Sequence, residues 1–172
     1  SKFDEIDYPV WGEISATLEL IQDQRGTKFL SVDHREEISE RWNIWRAEKS
    51  KRLQEDRGMG ISSSAIFHEL TKVIPDDAVV CVDVGNNAYS LGRYFESKNQ
   101  AFLMSGYLGS IGFALPAALG AWAAVGNERP VVVVSGDGGL CQYLAEFTSL
   151  VKYKMPIKIV VLNNNELGKI SK

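Results

Sequence analysis

The chain has 172 residues, of which 45% are hydrophobic and 24% charged, a composition typical of a globular protein with enough apolar material for one core. Its 19 Lys and Arg residues stand against 22 Asp and Glu residues, a balance that gives no attraction to nucleic acid or to an anionic membrane surface. No apolar run reaches the roughly 20 residues that cross a bilayer, and the N-terminus has the features of neither a signal peptide nor a transit peptide, so we expect a cytoplasmic protein.

The cysteines and histidines do not form a metal-binding or disulfide pattern. Cys81, Cys141, His34 and His68 lie at none of the usual zinc-ligand spacings. Cys81 lies within an apolar run and is predicted to be a buried packing residue. Cys141 follows a glycine-rich turn at the predicted start of a helix, and no histidine lies near it in the sequence.

The first 57 residues predict two helices. One covers Ile14 to Ile21, and the second lies within residues 31–57, which carry seven acidic and seven basic residues. Ile38, Trp42, Trp45 and Leu53 recur at helical spacing in that second helix, a stripe that we expect to dock on a neighbouring domain. Residues 57–60 then predict a break in the chain.

From Gly60 onward, helices alternate with strands. The predicted elements, in order, are a helix from the cap at Ser62–Ser64 to Val73, a strand Ala78–Val84, a helix Tyr89–Phe95, an apolar segment Ala101–Met104, a helix Gly109–Val125, a strand Val131–Val134, a helix Leu140–Lys152 and a strand Ile157–Leu162. Strands of continuous rather than alternating apolar character predict an α/β fold, with a parallel sheet covered by helices on both faces.

Three polar turns follow three of these strands, and such turns share one edge of a parallel sheet. We name them the first turn (residues 83–87), the second turn (136–139) and the third turn (163–165, sequence NNN). Their convergence predicts a ligand site.

The second turn joins a strand to a helix, an arrangement that presents backbone N–H groups to an anion such as phosphate. It is neither a GxGxxG fingerprint, since Cys141 stands at the third glycine position, nor a P-loop, since no Lys-Ser/Thr follows. Asp137 within it would repel phosphate unless a divalent cation lies between them, which suggests magnesium. Asn164, 27 residues further on, is a candidate second ligand together with a backbone carbonyl just beyond it. Each turn taken alone is also ordinary turn chemistry.

The stretch GDGGLCQYLAEFTSLVKYKMPIKIVVLNN resembles the thiamine diphosphate motif of acetolactate synthases, pyruvate oxidases and 2-oxo acid decarboxylases, and the resemblance covers about Ile61 to Lys172. It implies that Asp137, the Asn164 side chain and the Glu166 main-chain carbonyl hold Mg²⁺, which anchors the diphosphate. It further implies that the cofactor contacts Gly85, Asn86, Asn87, Gly136, Gly138, Gly139, Leu167 and Gly168.

The segment SGYLGSIGFALPAALGAW resembles the part of the same family that faces the cofactor pyrimidine. In that case the Gly109 carbonyl accepts a hydrogen bond from the 4′-amino group, and Ile111 is the wedge that bends the cofactor. From the residues alone, Ile111 would be a core residue. The resemblance places the activating glutamate in a separate N-terminal domain, so we expect this fragment alone to be inactive.

The function implied by the resemblance is that of a thiamine diphosphate- and Mg²⁺-dependent enzyme acting on a 2-oxo acid such as pyruvate, by carboligation or by oxidation. Residues 1–57 are then the tail of a middle domain and a helical linker, and residues 58–172 are the cofactor-binding domain, truncated at its C-terminus. FAD in the middle domain would accompany oxidation, and the enzyme would be a homo-oligomer, a dimer or a tetramer.

Three observations bear on the choice of reaction. The run Asn163–Gly168 matches the NNxxLG pattern of acetolactate synthases, the DVGNN of the first turn is closer to pyruvate oxidases, and Lys169 replaces the usual Met or Phe. Two alternatives stay open: the cofactor-binding subunit of a two-subunit 2-oxo acid decarboxylase, and a Mg²⁺-phosphate-binding domain without catalysis.

Overall fold

The computed structural model describes residues 5–25, 32–55, 58–168 and 170. The chain divides into two compact units, Ser1–Asn43 and Ile44–Lys172. The assignment of residues 1–57 to a middle domain and linker, and of residues 58–172 to a cofactor domain, stays a prediction. None of the described helices has the length and apolar character needed to span a bilayer.

The first unit contains helix α1 (Ile14–Gln24) and the start of helix α2 (Arg35–Leu53). α1 begins where the sequence predicts because the Glu13 side chain caps it, accepting a hydrogen bond from the Ala16 N–H at 2.8 Å. The helix runs three residues beyond the predicted end and has no buried residue. Of the predicted docking stripe on α2, Ile38 and Trp42 are exposed in the structure.

The C-terminal part of α2 belongs to the second unit and is anchored there by polar contacts. The buried ammonium of Lys49 pairs with Glu96 at 2.9 Å, and the Ser64 hydroxyl donates to the Arg52 carbonyl at 3.0 Å. Burial acts to raise the pKa of Glu96, but hydrogen bonds and charges from Lys49 and Arg46 hold that pKa below its usual value. A segment predicted as a linker therefore packs on the α/β unit through its last turns.

The second unit is built on a four-stranded sheet whose strands are β1 (Val79–Val82), β2 (Ala101–Met104), β3 (Val131–Gly136) and β4 (Lys158–Leu162). The strand order is β2-β1-β3-β4, and every neighbouring pair is parallel. The helices of this unit are α3 (Ser63–Val73), α4 (Asn86–Tyr94), α5 (Ala114–Val125), α6 (Asp137–Cys141), the 3-10 helix Leu144–Glu146 and α7 (Phe147–Lys152).

Hydrophobic cores lie on both faces of the sheet. On one face, Val80 and Val82 of β1 pack in a cluster with Phe67 of α3 and Leu91 of α4. On the other face, the alternate β1 residues pack with α5 and α7 in a cluster that comprises Val79, Cys81, Ala114, Leu115, Ala118, Ala121, Val131, Val133 and Leu150. The α/β prediction is confirmed, because successive strand side chains point to opposite faces and each face needs its own helical cover.

The predicted starts of two helices were wrong. α4 starts at Asn86 rather than at Tyr89, directly after Gly85 (φ 125°). α5 starts at Ala114 rather than at Gly109, because Gly109 and Gly112 take left-handed backbone angles (φ 64° and 88°) that no helix contains.

The predicted helix Leu140–Lys152 is also interrupted. α6 ends at Cys141, and Tyr143 leaves the helical region of backbone space (φ −127°, ψ 27°) before the 3-10 turn and α7. Cys141 therefore lies at the end of a short helix and not at the beginning of one. The N–H groups of the second turn and the thiol are thus at opposite ends of α6.

Candidate functional site

The three polar turns meet at the carboxyl edge of the sheet, as their positions predict. The Asn87 amide donates to the carbonyl of Asp83 at 2.8 Å and more weakly to that of Val134 on β3 at 3.4 Å, which links the first turn to the strand before the second. A methyl group added at Gly168 would come within 2.6 Å of the Asn86 amide nitrogen. The first turn therefore touches both the β3 strand and the segment that follows the third turn.

The second turn is also in contact with the segment that follows the third turn. A methyl group added at Gly138 would lie 2.7 Å from a terminal carbon of Leu167, closer than real side-chain contacts allow. The absence of a side chain at Gly138 is what lets the two segments approach. Residues 85–87, 136–139 and 167–168 of the predicted site thus lie together at one sheet edge.

Asp83 lies at the centre of this arrangement, and it is not among the predicted site residues. Its side chain is 1% exposed, and its Oδ1 accepts hydrogen bonds from the N–H groups of Val84 at 2.7 Å and Gly112 at 2.8 Å. Its Oδ2 accepts from the Ser135 hydroxyl at 2.9 Å. A carboxylate that directly follows a buried strand was the available signal, but the sequence does not reveal its partners.

The second turn presents Asp137 in the first turn of α6, after Gly136 in an extended conformation. The Asp137 side chain is half-buried, and within the described ranges it forms no hydrogen bond or ion pair. Gly139 is buried beside Asp83, and a methyl group there would lie 2.7 Å from Oδ2. The turn therefore combines an available carboxylate with backbone packed tightly on the first turn.

The third turn is held by local hydrogen bonds. The Asn163 Oδ1 accepts from the Asn165 N–H at 3.0 Å, and the Asn164 Oδ1 accepts from the Glu166 N–H at 3.2 Å. Residues 163–167 are exposed, whereas Gly168 is buried. Lys169, which replaces an apolar residue of the resembled family, lies outside the described residues.

A fourth segment, residues 109–112, borders the first turn. A side chain at Gly109 would come within 3.7 Å of Val84, and Gly112 is buried with no room for a side chain, since Tyr143 would lie 2.5 Å away. Ile111 is half-buried between these two glycines. The structure therefore brings the predicted pyrimidine-side residues next to the predicted diphosphate side.

Within the described residues, no group of three or more His, Cys, Asp or Glu side chains could hold a metal ion. The expected donors form a mixed oxygen set instead: the Asp137 carboxylate, the Asn164 side-chain oxygen and the Glu166 carbonyl. Oxygen donors from few side chains are characteristic of Mg²⁺ sites that also use phosphate and water. Cys81 is no candidate for chemistry, because burial raises the pKa of its thiol to about 11.

Comparisons with known proteins place these features in a family context. The family described as "Thiamine pyrophosphate enzyme, C-terminal TPP binding domain" matches residues 83–172. The chain is 39% identical over 106 residues to the putative thiamine pyrophosphate-containing protein YdaP of Bacillus subtilis (strain 168), an alignment covering 61% of this chain and 18% of that protein.

Two acetolactate synthases align over more of the chain. The isozyme 3 large subunit of Escherichia coli (strain K12) is 31% identical over 178 residues, covering 99% of this chain and 30% of the relative. The mitochondrial catalytic subunit of Saccharomyces cerevisiae (strain ATCC 204508 / S288c) is 31% identical over 150 residues, covering 84% and 22%. The chain thus spans less than a third of the length of each of these relatives.

Proposed function

The chain belongs to the thiamine pyrophosphate enzyme family through its C-terminal TPP-binding domain, and on this premise we propose that the converging turns bind thiamine diphosphate together with Mg²⁺. The enzyme of which this domain is part would act on a 2-oxo acid such as pyruvate. The observation that carries the proposal is the meeting of Asp137, Asn164 and the glycines of the turns at one sheet edge.

The donor set fits a magnesium-bound diphosphate. The Asp137 carboxylate has no partner among the described residues, so a cation next to it would compensate its charge. Asn164 keeps lone-pair capacity, since an amide oxygen accepts two hydrogen bonds and one is used by the Glu166 N–H. Asp137, Asn164 and the Glu166 carbonyl would therefore hold the cation, and the backbone of the second turn would face the diphosphate.

The other residues of the site would bind and orient the cofactor. When bound, thiamine diphosphate supplies a carbon nucleophile that adds to the carbonyl of the 2-oxo acid. The Gly109 carbonyl would accept a hydrogen bond from the 4′-amino group, and Ile111 would support the bent form. Asn86 and Asn87 lie in the first turn, beside the second turn. From there Asn86 would reach the diphosphate.

Carboligation is the reaction that we propose first, because several relatives of the chain are named acetolactate synthases and the run Asn163–Gly168 matches their pattern. In this reaction two pyruvate molecules give one 2-acetolactate and one carbon dioxide. Oxidation, with FAD in the full-length protein, is the second candidate and is favoured by the DVGNN sequence of the first turn. A homo-oligomeric, cytoplasmic enzyme is part of the same proposal.

Calorimetric titration of the full-length protein with thiamine diphosphate tests the cofactor site. We expect tight binding with Mg²⁺, a loss of at least about 100-fold in affinity with a chelator, and a similar loss in Asp137→Ala, because each change removes one member of the proposed carboxylate–cation pair and leaves the other charge uncompensated. Asp77→Ala is the matched control: this exposed carboxylate precedes β1 at the other edge of the sheet, and we expect its affinity to stay within about twofold.

Binding that ignores Mg²⁺, or that survives in Asp137→Ala, would contradict the cofactor proposal. With binding established, a panel of 2-oxo acids separates the two reactions. A longer hydroxy-oxo acid formed from pyruvate without an electron acceptor supports carboligation. Turnover that depends on an added acceptor supports oxidation.

A further inference from the structure

We propose that Asp83 is a positioning residue that fixes the two sides of the cofactor site relative to each other; this inference rests on the proposed function. Its carboxylate touches three backbone segments that border the site, at 83–85, 109–112 and 135–139. Two of those contacts are made to residues 29 and 52 positions away in the sequence.

The oxygen Oδ1 carries the larger part of this role. It accepts from the Val84 N–H at 2.7 Å and from the Gly112 N–H at 2.8 Å, so one atom joins the first turn to the end of the 109–112 segment. Gly112 has a left-handed backbone (φ 88°), and its buried N–H has to be paired somewhere. The bond to Oδ1 therefore determines where Gly109 and Ile111 lie relative to the diphosphate side.

The oxygen Oδ2 joins this pair of segments to the second turn. It accepts from the Ser135 hydroxyl at 2.9 Å, and it packs on Gly139, where a methyl group would lie 2.7 Å away. The Ser135 hydroxyl also lies 3.0 Å from the Gly136 carbonyl oxygen, which can accept a hydrogen bond from it. A small change in the length of the Asp83 side chain would therefore displace the second turn directly.

These contacts predict an unusual order of substitutions. Asp83→Asn keeps Oδ1 and both of its N–H bonds, while its new amide donates to the Ser135 oxygen and the Ser135 proton turns to the Gly136 carbonyl. Asp83→Glu keeps the charge but pushes the carboxylate into Gly139. If Asp83 acts through the position of its oxygens, Asp83→Asn retains more turnover per bound cofactor than Asp83→Glu. If Asp83 acts through its charge, Asp83→Glu retains more than Asp83→Asn.

The test uses the full-length protein and compares Asp83→Asn, Asp83→Glu and Asp83→Ala with the unchanged protein. Hydrogen exchange of peptides covering residues 106–113 is measured first, without cofactor. Thiamine diphosphate affinity with Mg²⁺ and turnover per bound cofactor on pyruvate are measured next, well below the unfolding temperature of each variant. A residue that only stabilises the fold leaves turnover per bound cofactor unchanged.

We expect Asp83→Ala to increase exchange in residues 106–113 and to lower turnover per bound cofactor at least about tenfold, which is the effect of losing hydrogen bonds to a charged acceptor. Asp83→Asn should stay within about threefold of the unchanged protein in both measurements, and Asp83→Glu should resemble Asp83→Ala.

The inference is overturned if Asp83→Glu performs better than Asp83→Asn, if Asp83→Asn fails to fold, or if Asp83→Ala leaves both exchange and turnover unchanged. Failure of the unchanged protein to bind thiamine diphosphate would instead overturn the proposed function. The exchange of the cofactor-free protein would still decide whether Asp83 fixes the 109–112 segment.

Discussion

The first and third turns differ in how their shapes are maintained. In the first turn, Asp83 and Asn87 are 1% and 7% exposed, and their side chains bond to strand β3 and to the 109–112 segment. In the third turn, residues 163–167 are exposed, and the side chains of Asn163 and Asn164 bond to N–H groups only two residues away. One turn is thus shaped by tertiary contacts and the other by local ones.

This difference indicates which part of the site tolerates amino-acid substitution. Leaving a buried polar group without its partner costs about 1–3 kcal/mol, whereas an exposed substitution usually changes stability by less than about 0.5 kcal/mol. Every described buried side-chain polar atom has a hydrogen-bond partner, so a substitution that removes a polar side chain from the buried first turn leaves its partner unpaired. The proposed cation donors Asn164 and Glu166 lie on the exposed side, where a hydrated ion can reach them.

The largest expected difference is between the reactivities of the two thiols. The reactivity of Cys81 reports how accessible to solvent the strand leading to the first turn is. Cys81 in β1 is fully buried, and its pKa of about 11 leaves only about 0.1% thiolate at pH 8, whereas Cys141 after the second turn is exposed. We expect iodoacetamide to alkylate Cys141 at least about 100-fold faster than Cys81. Peptide mass spectrometry over a time course measures both rates. Equal rates in the folded protein would show that the strand leading to the first turn is not closed to solvent.

The next largest effect is expected from Gly139→Ala, because residue 139 packs on the buried Asp83 side chain. The added methyl group would lie 2.7 Å from Oδ2 and 2.8 Å from Cγ of Asp83, and overpacking of this kind costs about 1–3 kcal/mol. We expect a lower urea midpoint and weaker thiamine diphosphate binding in the full-length protein. Gly120→Ala is the control, since a methyl group there meets nothing within 4 Å on helix α5, and it should stabilise by up to about 1 kcal/mol. Equal effects of the two substitutions would contradict the packing argument.

Asn87→Ala and Asn163→Ala compare the two turns with the same chemical change. Asn87→Ala removes the buried amide that bonds the Asp83 carbonyl at 2.8 Å, so we expect a loss of about 1–3 kcal/mol. Asn163→Ala removes one exposed local bond, with an expected loss below about 0.5 kcal/mol. Urea unfolding without cofactor, followed by hydrogen exchange in β1 and β3, measures both. A larger loss for Asn163→Ala would reverse the comparison.

The elements were predicted from the sequence more accurately than their ends. The buried runs that became β1 and β3 and the cap at Ser62 could be read directly, because continuous apolar strands and capping residues are local signals. The start of α5 was wrong because Gly109 and Gly112 take left-handed backbone angles next to Val84 and Tyr143, residues that are distant from them in the sequence. The break in the predicted helix near Tyr143 was also missed, because no glycine or proline marks it in the sequence.

The sequence by itself determined the parallel α/β architecture and the meeting of the three turns, since strands in a parallel sheet all end at the same edge. It also supplied the oxygen-bearing residues Asp137 and Asn164 and the motif by which the family can be identified. Only the tertiary structure decided the role of Asp83. Its partners Gly112 and Ser135 are distant in sequence, and no local pattern distinguishes a carboxylate that joins buried segments from one that faces a ligand.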